Sequence, residues 1–250
     1  MSLRALLFRR PPEPQTIEIA FDGAVYPVVL RRHAQARRYT LRVQAATRAV
    51  VLTIPMRGSL REAKAFAERS GAWIAARLKR LPQAIPFADR LELPLRGVPH
   101  LIVHRAGARG TVWTEAGEDG PVLCVAGGGA HLPRRVRDFL KREAKRELDA
   151  ASRRHAAALG VRVKRVSVRD QTSRWGSCTA AGVLSYSWRL ILAPPHVLDY
   201  LAAHEVAHLV EMNHSRRFWR VLARICPDWE RAKGWLAAHG NALHRYGGDV

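Results

Sequence analysis

Cysteine is scarce in this 250-residue chain: Cys124, Cys178 and Cys226 are an odd number and contain no C-x-x-C pair. That argues against a disulfide-stapled scaffold and against a cysteine-built zinc site, and it fits a reducing, cytoplasmic setting. Lysine is scarce too, 6 residues against 36 arginines, and the 21 acidic residues leave a formal charge of +21. Long hydrophobic runs are missing. The opening MSLRALLFRRPP holds an apolar run of only four residues, too short for a signal-peptide core. No stretch approaches the roughly 20 apolar residues of a membrane span. Neither an internal repeat nor a low-complexity tract stands out.

What remains is globular in composition, 48% hydrophobic and 25% charged, and long enough for two domains. The charge is uneven, +15 over residues 1–160 and +6 over residues 161–250. A cationic amino-terminal part suits DNA, nucleotides or another anionic partner. Arginines on solvated faces would give the same count.

Alternating apolar residues read as strands in TIEIAF, VYPVVL, YTLRVQ and AVVLTIP within residues 17–54, with turn signals such as FDGA between them. Ser59-Leu60-Arg61-Glu62 is a capping box opening a helical stretch at about 59–80, broken near Ser70-Gly71 and closed by Pro82. Residues 91–126 are strand-like again, and AGGGA at 126–130 reads as a linker. These features predict a β-rich domain over 1–130 and a second domain over 131–250.

Pro133 suits a first helical turn, Val136, Leu140, Ala144 and Leu148 recur every four residues, and Gly160 suits the stop. The opposite face is densely basic, to lie along a phosphate backbone or in solvent. VRVKRVSV at 161–168 and VLSYSWRLIL at 183–192 read as strands, joined by a turn-rich segment containing RWGSC. Helices follow from Pro194-Pro195 to about Met212, from Ser215 to Pro227 and from Asp228 to Gly240. The fold class is therefore α+β, with the helix after the strands carrying the chemistry.

That helix contains HEVAHLVEMNH at 204–214. Positions i and i+4 share a helical face, so His204 and His208 offer two imidazoles to one metal, with Glu205 as general base. A catalytic zinc needs a third protein ligand and one open position. A helix rises about 1.5 Å per residue, which puts Glu211 too far along the axis. His214 serves if the helix ends at Asn213 in a left-handed turn and Ser215 caps the next one. His214 is the preferred third ligand; Glu211, Glu230, His239 and His244 are the other candidates. Small apolar neighbours, Ala202, Ala203, Val206 and Ala207, favour an interior position, where imidazoles and a carboxylate need partners. Asp199 either orients a ligand imidazole or sits at a helix N-terminus; Arg174, Tyr200 and Asn213 are candidate electrophiles. Ser177 and Cys178 have no assigned base, so RWGSC is expected to be a tight glycine turn packing Trp175.

RWGSC at 174–178, LSYSWRLILAPPHVLDYLAAHEVAHL at 184–209 and NHSRRFW at 213–219 together resemble the YgjP-like family of predicted zinc metallopeptidases, relatives of the SprT-like and WLM proteases. The resemblance is strongest over about 165–240. It implies a zincin-type fold over 131–250, Zn²⁺ held by His204, His208 and His214, Glu205 as catalytic acid and base, and a polypeptide substrate.

The leading expectation is thus a cytoplasmic zinc peptidase; the strand at 183–192 is either an edge able to pair with extended substrate, as in zincin-like folds, or ordinary core, the preferred reading for Leu184, Leu190 and Ile191. Two other classes stay in view. One is a zinc hydrolase acting on nucleotides or another phosphorylated substrate, although no P-loop and no carboxylate pair for Mg²⁺ is present. The other is a nucleic-acid-associated protein with a structural metal, although such sites normally close with four protein ligands.

Overall fold

The structure, a computed structural model, describes residues 14–44, 48–81, 83–171 and 174–247. The opening segment and Pro82, expected to close the first helical stretch, lie outside them. The chain divides into two compact units, Met1–Pro82 and Gln83–Val250.

In the first unit, β1 (Thr16–Phe21), β2 (Ala24–His33), β3 (Thr40–Val43) and β4 (Val50–Pro55) form a sheet in the order β1-β2-β4-β3. Hairpin partners are antiparallel, and β2 runs parallel to β4. Two helices follow, α1 (Leu60–Arg69) and α2 (Gly71–Lys79). The Ser59 half of the capping box forms, Ser59 Oγ accepting from Glu62 N at 3.0 Å, while the Glu62 carboxylate accepts from the Tyr39 hydroxyl at 2.7 Å. The break at Ser70 falls where the sequence puts it. Ile19, Val28, Leu52 and Ile54 meet Ala63, Ala67 and Ile74 in this unit's own core.

The second unit begins with the same design. β5 (Glu92–Leu95), β6 (Val98–Arg105), β7 (Val112–Gly117) and β8 (Gly120–Ala126) take the order β5-β6-β8-β7, with β6 parallel to β8, and a helix follows. The first hairpin turn matches as well. Asp22-Gly23 and Arg96-Gly97 both have positive φ at two successive residues (49° and 72°; 54° and 74°), the pattern that suits the twist of a two-residue hairpin. A repeated ββ-ββ-helix unit is therefore present where none stood out in the sequence. It is carried by strand order and turn geometry, and the side chains at matching positions differ.

Helix α3 (Leu132–Leu159) runs from Pro133 in its first turn to Gly160, whose φ of 66° ends it. Its stripe of Val136, Leu140, Ala144 and Leu148 is fully buried, each leucine contributing roughly 1.5–3 kcal/mol. The basic face is engaged within the protein. Arg153 donates to Asp149 at 2.9 Å, Arg146 to Glu143 at 2.7 Å and Lys145 to the carbonyl of Val166 at 2.7 Å. Contacts within the protein thus occupy part of that face.

The compact units divide at 82/83, not at 130. Leu93, Leu95, Ile102, Leu123 and Val125 share one core with Val136 and Leu140 of α3 and with the helices beyond. Residues 126–130 connect elements of that single core, so the glycines there link no separate domains.

Beyond α3 lie β9 (Arg165–Arg169), β10 (Gly176–Cys178) and β11 (Val183–Ser187), then α4 (Pro195–Ala207), α5 (Arg216–Ile225) and α6 (Trp229–Leu243). The small sheet is mixed, in the order β10-β11-β9, and α4 packs beside β10. β11 is its middle strand, paired on both sides, so it offers no edge, and Leu184, Leu190 and Ile191 lie in the core as expected. Residues Trp188–Leu192 leave the sheet as a buried 3-10 turn. The end strands are β10 and β9.

The β5–β6 hairpin holds the entry to α4. Arg96 N donates to Ile191 O at 2.8 Å and Gly97 N to Leu192 O at 3.1 Å. Arg96 also grips Glu143 and Glu147 of α3, at 2.8 and 2.7 Å. A Cβ on Gly97 would meet Pro194 at 2.9–3.1 Å, so this close approach needs glycine.

Candidate metal centre

Helix α4 starts at Pro194-Pro195, where backbone N–H groups would find no helical partner. It is buried nearly all round: Val197, Ala202, Ala203, Val206 and Ala207 are fully buried. His204 and His208, one turn apart, point to the same side, with ring centroids 5.0 Å apart.

The helix ends earlier than expected, at Ala207 instead of near Met212. The next bonds are of the tighter i+3 kind, Leu209 N to Val206 O at 2.9 Å and Val210 N to Ala207 O at 3.0 Å. Asn213 does not adopt the left-handed conformation. Its side chain makes the turn: Oδ1 accepts from Ser215 N at 3.1 Å. Ser215 Oγ then caps α5, accepting from Arg217 N and Phe218 N at 3.2 and 3.4 Å. The chain thereby doubles back, and the buried Phe218 packs its ring 4.6–4.9 Å from all three imidazoles.

His214 is brought onto the other two. One donor atom from each of His204, His208 and His214 lies within 4.8 Å of the others, and no other such group occurs among the described residues. The Nε2 atoms of His204 and His214 are 3.0 Å apart. Two nitrogens on one tetrahedral zinc lie about 3.3 Å apart, so the spacing fits. The remaining candidates are elsewhere. Glu211 turns its carbonyl to His208 Nδ1 at 3.1 Å and its carboxylate to Arg217 at 3.8 Å. His239 packs on Trp235, and His244 stacks on Trp175 at 4.6 Å.

Electrostatics agrees with this fit. Burial, reinforced by the two neighbouring rings and Lys233, pushes His204 down to about 3. Burial also lowers His208. Both rings are then neutral at ordinary pH and keep a lone pair for a cation. The Glu211 carbonyl accepts a hydrogen bond from Nδ1–H of His208, leaving the Nε2 lone pair free for a cation.

Glu205 is 5% exposed. Burial pushes its carboxyl up to about 8, and the positive charge of Arg174 works against that. The carboxylate lies beside Gly176 of β10. RWGSC is thus an edge strand and its lead-in, not a tight turn. Trp175 anchors it, stacking on His244 and accepting from Ser187 N at 2.9 Å. Cys178 is pushed up to about 11 by burial and by Glu205, the reverse of an activated thiol.

Asp199 faces away from the centre, paired with Arg154 and with His155 Nε2 at 2.9 Å. The Tyr200 hydroxyl lies 3.5 Å from His204 Nδ1. Two further neighbours carried no sequence signal, because α6 supplies them from far along the chain. Trp229 stacks on Trp219 at 4.5 Å, and Lys233 lies over both rings at 4.7 and 5.4 Å.

Comparison with known proteins bears on this centre. The family model described as YgjP-like, metallopeptidase domain, matches residues 37–239. Among curated proteins none matches. Among solved structures, that of the metallopeptidase zymogen abylysin of Pyrococcus abyssi is similar at 22% identity, over 40% of this chain and 97% of that one. Its TM-score is 0.35, too low for the likeness to bear on the fold.

Proposed function

We propose, from the premise that this chain belongs to the YgjP-like metallopeptidase family, that it is a zinc-dependent peptidase with Glu205 as its acid and base. The observation that carries the reading is the convergence of His204, His208 and His214 to within 4.8 Å beside a buried glutamate. Three imidazoles suit zinc better than the hard cations Mg²⁺ and Ca²⁺, which prefer oxygen ligands. Three protein donors, not the four of a closed structural site, leave a position open.

Bound there, the zinc would supply Lewis-acid chemistry, acidifying water, polarising a carbonyl and favouring the carboxylate form of Glu205. The chain's own part is positioning and proton transfer. Glu205 would take a proton from the attacking water on a carboxylate oxygen and return it to the departing amine nitrogen. β10 has no strand partner on its outer side among the described residues, and its backbone groups there could pair with an extended polypeptide. Of the three candidate electrophiles, Arg174 is the one whose charge acts on Glu205; Tyr200 lies against His204 and Asn213 is used in the turn.

Two further features extend the reading. Residues 1–82 carry +11, which favours an anionic partner such as DNA or a nucleotide for the first unit. The three free cysteines favour the cytoplasm, and no helix among the described residues is long and apolar enough to cross a membrane.

The test is Glu205→Gln. It should retain about one zinc per chain and lose turnover of an unfolded protein substrate. Turnover at the unmodified rate would overturn the reading.

A further inference from the structure

The motif RWGSC is left without a role by metal binding alone. Its glycine occupies the position on β10 closest to Glu205. A Cβ built on Gly176 would stand 2.4 Å from Glu205 Oε1 and 2.8 Å from both Cδ and Cγ. Real Cβ contacts do not come this close, and the three nearest atoms all belong to the one carboxylate-bearing side chain.

Gly176 has no need of glycine for its backbone. It is absent from the glycines of positive φ, and it pairs in ordinary antiparallel register with Tyr186. The two backbones are held in place, so it is the Glu205 side chain that would have to be displaced. β10 is tied through Cys178↔Leu184 and Gly176↔Tyr186 to a middle strand whose Leu184 and Tyr186 are fully buried. Glu205 sits on a helix whose neighbouring Val206 and Ala207 are fully buried too.

We propose that Gly176 is a positioning residue for the peptidase reaction: the side chain it lacks is the slot in which the Glu205 carboxylate is held against the edge strand. This rests on the proposed function of the centre but concerns a different residue and a different force, steric room in place of metal ligation. The slot confines Glu205 on the β10 side, and alternation along the strand puts Cys178 on the same face as Gly176. A displacement of about 1 Å in a catalytic group can cost roughly 100-fold in rate, so filling the slot should be felt mainly in the chemical step.

The experiment combines Gly176→Ala with Glu205→Ala in the zinc-loaded full chain. Gly176→Ala alone is expected to keep its zinc, lower kcat about 100-fold on an unfolded protein substrate with KM little changed, and lower Tm by about 5 °C. In the Glu205→Ala background, where the opposing carboxylate is gone, the same glycine substitution should leave Tm unchanged. If Gly176→Ala alone does not fold, recovery of folded protein on adding Glu205→Ala supports the slot, and continued misfolding overturns it. An equal loss of Tm in both backgrounds, or full activity of Gly176→Ala, also overturns it. Should the unmodified protein show no peptidase activity, the proposed function fails, while the Tm comparison still decides whether Gly176 makes room for Glu205.

Discussion

Glu211 presents its backbone carbonyl, not its carboxylate, to His208: the oxygen lies 3.1 Å from Nδ1. A residue that spacing alone offers as a ligand instead fixes which nitrogen of a neighbouring ligand is free. Because the interaction is with the backbone, Glu211→Gln should leave zinc affinity within about threefold, whereas His208→Ala or His214→Ala should abolish stoichiometric zinc after dialysis. Metal analysis of the dialysed variants checks both.

Tyr200 is the corresponding neighbour of His204, at 3.5 Å. Loss of a group that orients a ligand imidazole typically weakens metal affinity 10–100-fold, and this long contact belongs near the lower bound. Tyr200→Phe should therefore weaken zinc binding about 10-fold in a chelator competition, without unfolding the protein. Unchanged affinity would remove Tyr200 from the centre.

Zinc should stabilise the fold, since the convergent rings exist only in the folded chain. At a free concentration 100 times Kd the gain is about 2.7 kcal/mol, which corresponds to a rise of roughly 5–10 °C in Tm. Thermal melts with zinc and with excess chelator measure it.

Acid should destabilise the metal-free protein through buried histidines. Burial, with Arg189 nearby, pushes His244 down to about 4, against about 6.5 for a free side chain. The unfolded chain then binds the proton first. The stability this neutral ring contributes is complete above pH 6.5 and is lost as pH falls toward 4, by up to about 1.4 kcal/mol per pH unit. His244→Phe, which can keep the stack on Trp175, should flatten the pH dependence of urea unfolding across that window.

The thiols should be slow. Burial pushes Cys178 and Cys226 up to about 11 and raises Cys124. At pH 8 the folded protein should react with a thiol reagent far more slowly than the denatured chain, which should titrate three groups. A fast phase of one thiol in the folded state would contradict the raised Cys178 and Cys226.

Much of this was legible in the sequence, for identifiable reasons. Helical periodicity puts His204 and His208 on one face. Ser59, Ser215, Pro133 and Gly160 act locally, through caps and dihedral preferences, and so they reveal the helix ends they make. His214 was readable because Asn213-His214-Ser215 contains a turn-former and a cap, although the turn is closed by the Asn213 side chain and not by a left-handed backbone. What escaped depends on contacts distant in sequence. The strand β10 is three residues long and is defined by pairing with β11, so its glycine looks like a turn. The division at 82/83 follows from Leu123 and Val125 sharing a core with Val136 and Leu140, which no composition shift at 126–130 records. The repeated sheet order resides in backbone pairing and positive-φ turns, and Arg96 disguises the second turn.

The most direct test is the zinc K-edge absorption spectrum of the zinc-loaded protein. Three imidazole nitrogens and one solvent oxygen, all at about 2.0–2.1 Å, are predicted. A sulfur shell at about 2.3 Å, or a fourth protein donor in place of solvent, would contradict a catalytic centre built on His204, His208 and His214.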